Sequence, residues 1–207
     1  MASSEAGKDY VEKTDEMMKA VSEMTFSASS LQNYVICPMR FCCQSVLKLK
    51  KDEDVAESLD NAMIGNVYHN LMWALYHGEE AMKPSGAFEK LYDGDIPGMP
   101  EVSRVYLESW LSREDDIRSK AMSLMMAELN SDEISGRDLV VLRVIMRYVR
   151  ETIVKDIALM DRYGIGSIDV LGLEKKVFAD INGARFFGVI DRIDSLAPGM
   201  VRLGDYK

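Results

Sequence analysis

Gly188-Val189-Ile190-Asp191-Arg192-Ile193-Asp194, followed by Asp205-Tyr206-Lys207, decides how this sequence is read. Phe187, Val189 and Ile190 precede Asp191, and Val201 and Leu203 precede Asp205, so each acid follows an apolar, strand-like run. Gly199 supplies a turn between the two runs. Side chains alternate faces along a strand, so Asp205 and Lys207 project to one side and Tyr206 to the other. Two neighbouring strands would bring Asp191 and Asp205 together with Lys207 beside them. Paired carboxylates repel unless a cation joins them. Hard divalent ions accept oxygen ligands from one or two carboxylates and from substrate phosphates. The pattern therefore points to metal-assisted phosphodiester chemistry. Asp194, expected at the strand end, is the weaker ligand candidate.

Upstream of this pair the chain is helical. Ile64, Val67, Tyr68, Leu71, Met72 and Leu75 recur at helical spacing over Asn61–Tyr76, with Gly78 as the stop. His69 lies one turn after Gly65, where a missing side chain permits close approach. A second long stripe, Leu139 to Met160, predicts a helix over Asp138–Tyr163 ended by Gly164 and Gly166. Arg143, Arg147 and Arg150 share one face of it. They read as a solvated face or as a DNA-phosphate stripe. Ser27–Ser30 offer N-caps for a short helix that Pro38 ends, and a second helical run covers Met39–Leu49. Asp52–Asp60 reads as an acidic connector, residues 83–100 as a loop-rich stretch, and Glu101–Asn130 as helical. Strands are expected at Leu171–Ala179, Ala184–Ile193 and Val201–Lys207, the first two joined by an Asn182-Gly183 hairpin turn.

The 207 residues suffice for one sizeable domain, and 47% hydrophobic with 29% charged residues is ordinary for a globular chain. No apolar run reaches the roughly 20 residues of a membrane span, and the first residues lack the apolar stretch of a signal peptide. A cytoplasmic location follows as the expectation. The net charge of −9 argues against a general nucleic-acid coat but not against a local positive groove or a metal-dependent site. Cys37, Cys42 and Cys43 are too few and too clustered for a disulfide framework.

Four stretches in order resemble the RecB-type branch of the PD-(D/E)XK nuclease superfamily, nearest to the C-terminal nuclease domain of AddB-like helicase–nuclease subunits. They are Ser27 to Phe41, Gly65-Asn-Val-Tyr-His69, Gly188 to Asp194, and Asp205-Tyr-Lys207. The resemblance covers about 27–80 and 137–207 and leaves 81–136 poorly matched. It implies an α/β (α+β) fold with a restriction-endonuclease-like core, a large helical N-terminal half and a helical or loop insertion at 81–136. Residues 1–26 are then a polar extension or linker. By the same resemblance His69, Asp191 and Asp205 hold Mg²⁺ or Mn²⁺, Lys207 is catalytic with Asp191 and Asp205, and Glu174 is a further candidate ligand.

The implied activity is hydrolysis of DNA as an exonuclease beside a helicase in double-strand break repair. DNA and a helicase or nuclease subunit are the implied partners. The alternative is a non-catalytic DNA- or protein-binding module that keeps the fold. Cys37 occupies the first ligand position of the iron–sulfur relatives, but one cluster needs about four thiolates, so no cluster is expected here. The relatives continue with more sheet and a Gln-x-x-x-Tyr helix beyond the lysine motif. The core is therefore expected to be an incomplete piece of a larger protein.

Overall fold

A computed structural model describes residues 12–49, 58–84, 101–134 and 136–206. Lys207, Lys50, Lys51, residues 52–57 of the acidic connector, and Pro97 and Pro100 of the loop-rich stretch lie outside the described residues. The chain divides into two compact units, residues 1–53 with 177–188, and residues 54–176 with 189–207.

The smaller unit begins with α1 (Asp15–Glu23) and β1 (Thr25–Ser27). Ser27 then caps α2 (Ala28–Ile36) through a reciprocal capping box with Ser30, which fixes the helix start that the serine cluster predicts. Pro38 does not merely end α2. It occupies the first turn of α3 (Pro38–Phe41), where a missing N–H is harmless. The run to Leu49 is not one α-helix, because Cys42–Val46 form a π turn. β1 pairs in parallel with Arg185–Phe187, and Phe26 packs on Phe186 with ring centroids 5.7 Å apart.

The larger unit is built around α4 (Asn61–His77). Asp60 caps its N-terminus, and Gly78, with φ 128°, takes its C-terminal position. Every residue from Leu71 to Tyr76 is buried, so this half of α4 is surrounded by protein and not amphipathic. α5 (Arg104–Ser112), α6 (Glu114–Leu129) and α7 (Arg137–Tyr163) enclose it. Trp110, Leu107, Met125, Ile145, Val149 and Ile153 fill the space between them. The stretch Glu101–Asn130, expected to be helical, is so over two helices that break at Arg113, but it opens with a short strand, β2 (Glu101–Ser103).

The strands are longer than the sequence predicts. β3 runs Ser167–Ile181 and β4 Ala184–Ala197; β5 covers only Met200–Gly204. β3 and β4 are joined by Asn182 and Gly183, both at positive φ as a two-residue hairpin turn requires. The sheet order is β1-β4-β3-β2, with β5 also paired to β4. β2 is antiparallel to the start of β3, and β5 is antiparallel to Arg192–Ala197 of β4. This mixed sheet with its helices is the α/β architecture expected of a restriction-endonuclease-like core. Two details differ from expectation. Asp205 lies just past β5 and not on it, and Asp194 is inside β4 and fully buried, not at a solvent-facing strand end.

Candidate metal centre

His69 is carried on α4, Glu174 on β3 and Asp191 on β4. One ligand atom from each lies within 4.8 Å of the other two. His69 Nδ1 is 3.0 Å from Glu174 Oε1 and 3.6 Å from Asp191 Oδ1. Glu174 owes its place to its backbone. Ile168, Val170 and Gly172 alternate inward along β3, but Leu173 and Glu174 are buried too, and Glu174 adopts φ 50°. A non-glycine residue in the left-handed region costs about 1–3 kcal/mol and breaks the regular alternation of a strand. One consequence is visible nearby. In a regular strand residues three apart face opposite ways, whereas a Cβ on Gly172 would sit 3.4 Å from Lys175 Cβ.

The segment after β5 closes the site. The Tyr206 backbone N–H donates to Asp191 Oδ2 at 2.7 Å. Asp205 lines, with Asp191, Ile190 and Leu203, a shallow cavity of about 290 Å³. Burial pushes the Asp191 carboxyl above its ordinary value. The Glu174 and Asp205 charges add to that shift, while the Tyr206 N–H and His69 oppose it. The structure thus gathers His69, Glu174 and Asp191 into one cluster, with Asp205 alongside. Oxygen donors with one imidazole, partly withdrawn from water, fit a hard divalent cation. The carboxylates of Glu174 and Asp191 are the negative charge that such an ion would neutralise.

A larger cleft of about 600 Å³ adjoins Asp205 and Tyr206, and Gly65, Tyr68, Tyr148 and Thr152 also line it. A Cβ on Gly65 would meet no atom within 4 Å, so the glycine leaves open space there. The Tyr68 hydroxyl and Thr152 Oγ1, 2.8 Å apart, tie α4 to α7 one residue from His69.

Beneath the site runs a buried ionic network that the sequence did not reveal. Arg192 is 2.6 Å from Asp156 on α7 and 2.6 Å from Asp194, and all three are buried. Arg202 of β5 joins the same two acids at 3.0 and 2.6 Å. The Tyr76 hydroxyl donates to Asp156, and the Arg192 guanidinium lies 3.9 Å over the Tyr76 ring. Burial alone would push the Asp156 carboxyl up. Arg192, Tyr76 and Arg202 together outweigh it and hold the carboxyl below the ordinary range. The network ties α7 to α4, β4 and β5, the elements that carry or directly precede His69, Asp191 and Asp205. Its signal in the sequence was the arginine between two acids in Asp191-Arg192-Ile193-Asp194, but its partners on α7 and β5 are distant in the chain.

The remaining candidates lie elsewhere. Arg143, Arg147 and Arg150 line a separate groove with Arg118. His77 stacks on Trp73 at 4.5 Å, and burial lowers its pKa. Cys37, Cys42 and Cys43 are free thiols of the smaller unit, each half-buried. Among the described residues no helix is long and apolar enough to cross a membrane.

A family model of the PD-(D/E)XK nuclease superfamily matches residues 25–207. No curated protein and no solved structure matches the chain. A match over most of the length, ending on the Asp205-Tyr206-Lys207 motif, shows that the chain belongs to the PD-(D/E)XK nuclease superfamily. Members of that superfamily are typically nucleases, hydrolases that act on DNA with the help of divalent metal ions.

Proposed function

We propose that this protein is a Mg²⁺- or Mn²⁺-dependent DNA nuclease of the RecB type, related to the AddB-like nuclease domains of helicase–nuclease complexes. It acts as an exonuclease during double-strand break repair in the cytoplasm, beside a helicase or nuclease subunit. The observation that carries the metal-dependent reading is the convergence of His69, Glu174 and Asp191 from three separate elements. The ordered motifs from Ser27 to Lys207 support the narrower family assignment and, through it, the exonuclease and repair role.

In this reading His69, Glu174 and Asp191 hold the ion, with Asp205 completing its acidic surroundings. A bound divalent ion polarises the scissile phosphate and lowers the pKa of its water ligand. The chain's own groups prepare the site. The Tyr206 N–H fixes the orientation of the Asp191 carboxylate, and the cleft beside Asp205 and Tyr206 gives a nucleic-acid strand room to approach. Lys207 orients the attacking water or stabilises charge developing on the phosphate oxygens, the role its motif carries in the family.

Titration with Mn²⁺, followed by digestion of end-labelled linear and closed circular DNA, tests the proposal. Saturable Mn²⁺ binding lost in Asp191→Ala and His69→Ala, with linear but not circular DNA degraded, is the expected result. Metal binding without cleavage of any DNA would leave the non-catalytic binding module as the correct reading. No metal binding would overturn the assignment of the centre.

A further inference from the structure

The groove between α5, α6 and α7 has a chemistry unlike the rest of this acidic chain. It encloses about 260 Å³, and Trp110, Met146 and Ile153 belong to its apolar wall. Arg118, Arg143, Arg147 and Arg150 line it together. The three arginines of α7 are exposed and share one helix face. Arg147 is engaged by Glu151 at 2.8 Å and Arg118 by Glu114 at 3.2 Å. Among the described residues, Arg143 and Arg150 have no carboxylate partner, and they stand two turns apart, about 10 Å along the axis.

We propose that this groove is a docking site for an acidic protein segment that carries an apolar side chain. Two guanidinium groups about 10 Å apart on one helix face fit carboxylates about three residues apart on an extended peptide, since arginine binds carboxylate in a planar, bidentate fashion. The apolar wall between them suits a side chain that must leave water. A nucleic acid fits less well. Its continuous phosphate charge would run past the groove onto Glu108, Glu114 and Asp115, all exposed on the surrounding helices, and onto the half-buried Glu151. A short acidic peptide places its charge only where the arginines are. The groove shares α7 with the Tyr68–Thr152 contact but none of its lining residues belongs to the metal centre, so the inference stands or falls apart from the nuclease reading.

The test uses the intact chain in EDTA and follows fluorescence anisotropy of a labelled peptide of three aspartates and one phenylalanine. Binding should weaken at least about tenfold when phenylalanine is replaced by serine, the equivalent of losing one buried aromatic side chain. It should weaken by a similar factor in Arg143→Glu/Arg150→Glu, while the Mn²⁺ affinity of that variant stays at the wild-type value. Should the charge reversal unfold the protein, Arg143→Gln and Arg150→Gln singly are expected to give smaller losses in the same direction. Absence of peptide binding, or equal binding of the serine peptide, would overturn the proposal. Tighter, arginine-dependent binding of a labelled oligothymidine would replace it with a nucleic-acid surface.

Discussion

The Tyr206 backbone N–H donates to Asp191 Oδ2 at 2.7 Å, so the chain just past β5 holds a carboxylate of the candidate metal cluster carried on β4. Hydrogen bonds to a charged group contribute about 1.5–3 kcal/mol. Tyr206→Ala keeps the N–H and loses the ring; Tyr206→Pro loses both. The step from alanine to proline therefore isolates the N–H. It should weaken Mn²⁺ binding by about ten- to a hundredfold, because the Asp191 carboxylate loses the contact that fixes its orientation. Calorimetric titration of the two variants reads the difference directly, and equal affinities would remove Tyr206 from the site's construction.

Glu174 sets a conflict between stability and function. It sits buried beside Asp191 in a left-handed backbone conformation, and its charge adds to the effect of burial in raising the Asp191 carboxyl. Glu174→Gln keeps the shape and removes the repulsion. Without metal, the variant should melt a few degrees higher than wild type, as expected when a functional site carries strained electrostatics. With saturating Mn²⁺ the order should reverse, and Mn²⁺ affinity should fall at least about tenfold. Thermal melts with and without metal check both halves, and a variant less stable than wild type without metal would show that Glu174 is held by favourable pairing with His69 instead.

The sequence disclosed elements whose signal is local. The 3- and 4-residue recurrence of Ile64 to Leu75 located α4, Asn182-Gly183 located the hairpin, and Ser27 the cap of α2. It also singled out His69 and Asp191, because a motif carries their relation in order. What escaped it depends on contacts between distant residues. β2 exists because Glu101–Ser103 pair with Ser167–Asp169, and no three-residue stretch announces such a partner. Arg113 breaks the helical run without glycine or proline, its side chain spread between Glu79, Asp116 and the Trp110 ring. Asp194 looked like a strand-end acid because the network of Arg192 and Arg202 that surrounds it is completed by Asp156 of α7, distant in the chain. Glu174 was legible as an acid on the first strand. Its role depends on a backbone angle that side-chain alternation conceals.

The raised Asp191 carboxyl gives the metal-free protein a defined pH response. A carboxyl whose folded pKa lies above its unfolded value retains its proton in the native state when the unfolded chain has lost it. Its unfavourable contribution is absent below the unfolded value near 3.9 and complete above the folded one. Stability from this group therefore falls as pH rises through that window. Asp191→Asn should flatten the fall, and Mn²⁺ should abolish it, since the ion takes the proton's place. Mn²⁺ titrations at acidic pH in buffers of different ionisation heats should show proton release that Asp191→Asn lacks. Identical proton release in both proteins would assign the titration to another group.

Asp156 responds in the opposite sense. Arg192, Tyr76 and Arg202 hold its carboxyl below the ordinary range against the effect of burial. A depressed carboxyl stabilises the fold above its unfolded pKa, and that contribution is lost as pH falls through the folded value. Removing one partner of a buried ion pair costs about 3–5 kcal/mol. Asp156→Asn should lie at the low end, about 3 kcal/mol at neutral pH, because Asp194 continues to engage Arg192 and Arg202. The gap between variant and wild type should narrow as pH falls below about 4, where Asp156 of the unfolded chain takes up its proton while the native carboxyl still resists it. The same substitution loosens α7 from β4 and β5, so Mn²⁺ binding should weaken although Asp156 touches no ligand of the centre. Urea unfolding across the acidic range, paired with Mn²⁺ titration at neutral pH, separates the two effects. A variant destabilised by the expected amount but with wild-type Mn²⁺ affinity would confine the network to holding the fold, leaving Tyr206 as the contact that aligns Asp191.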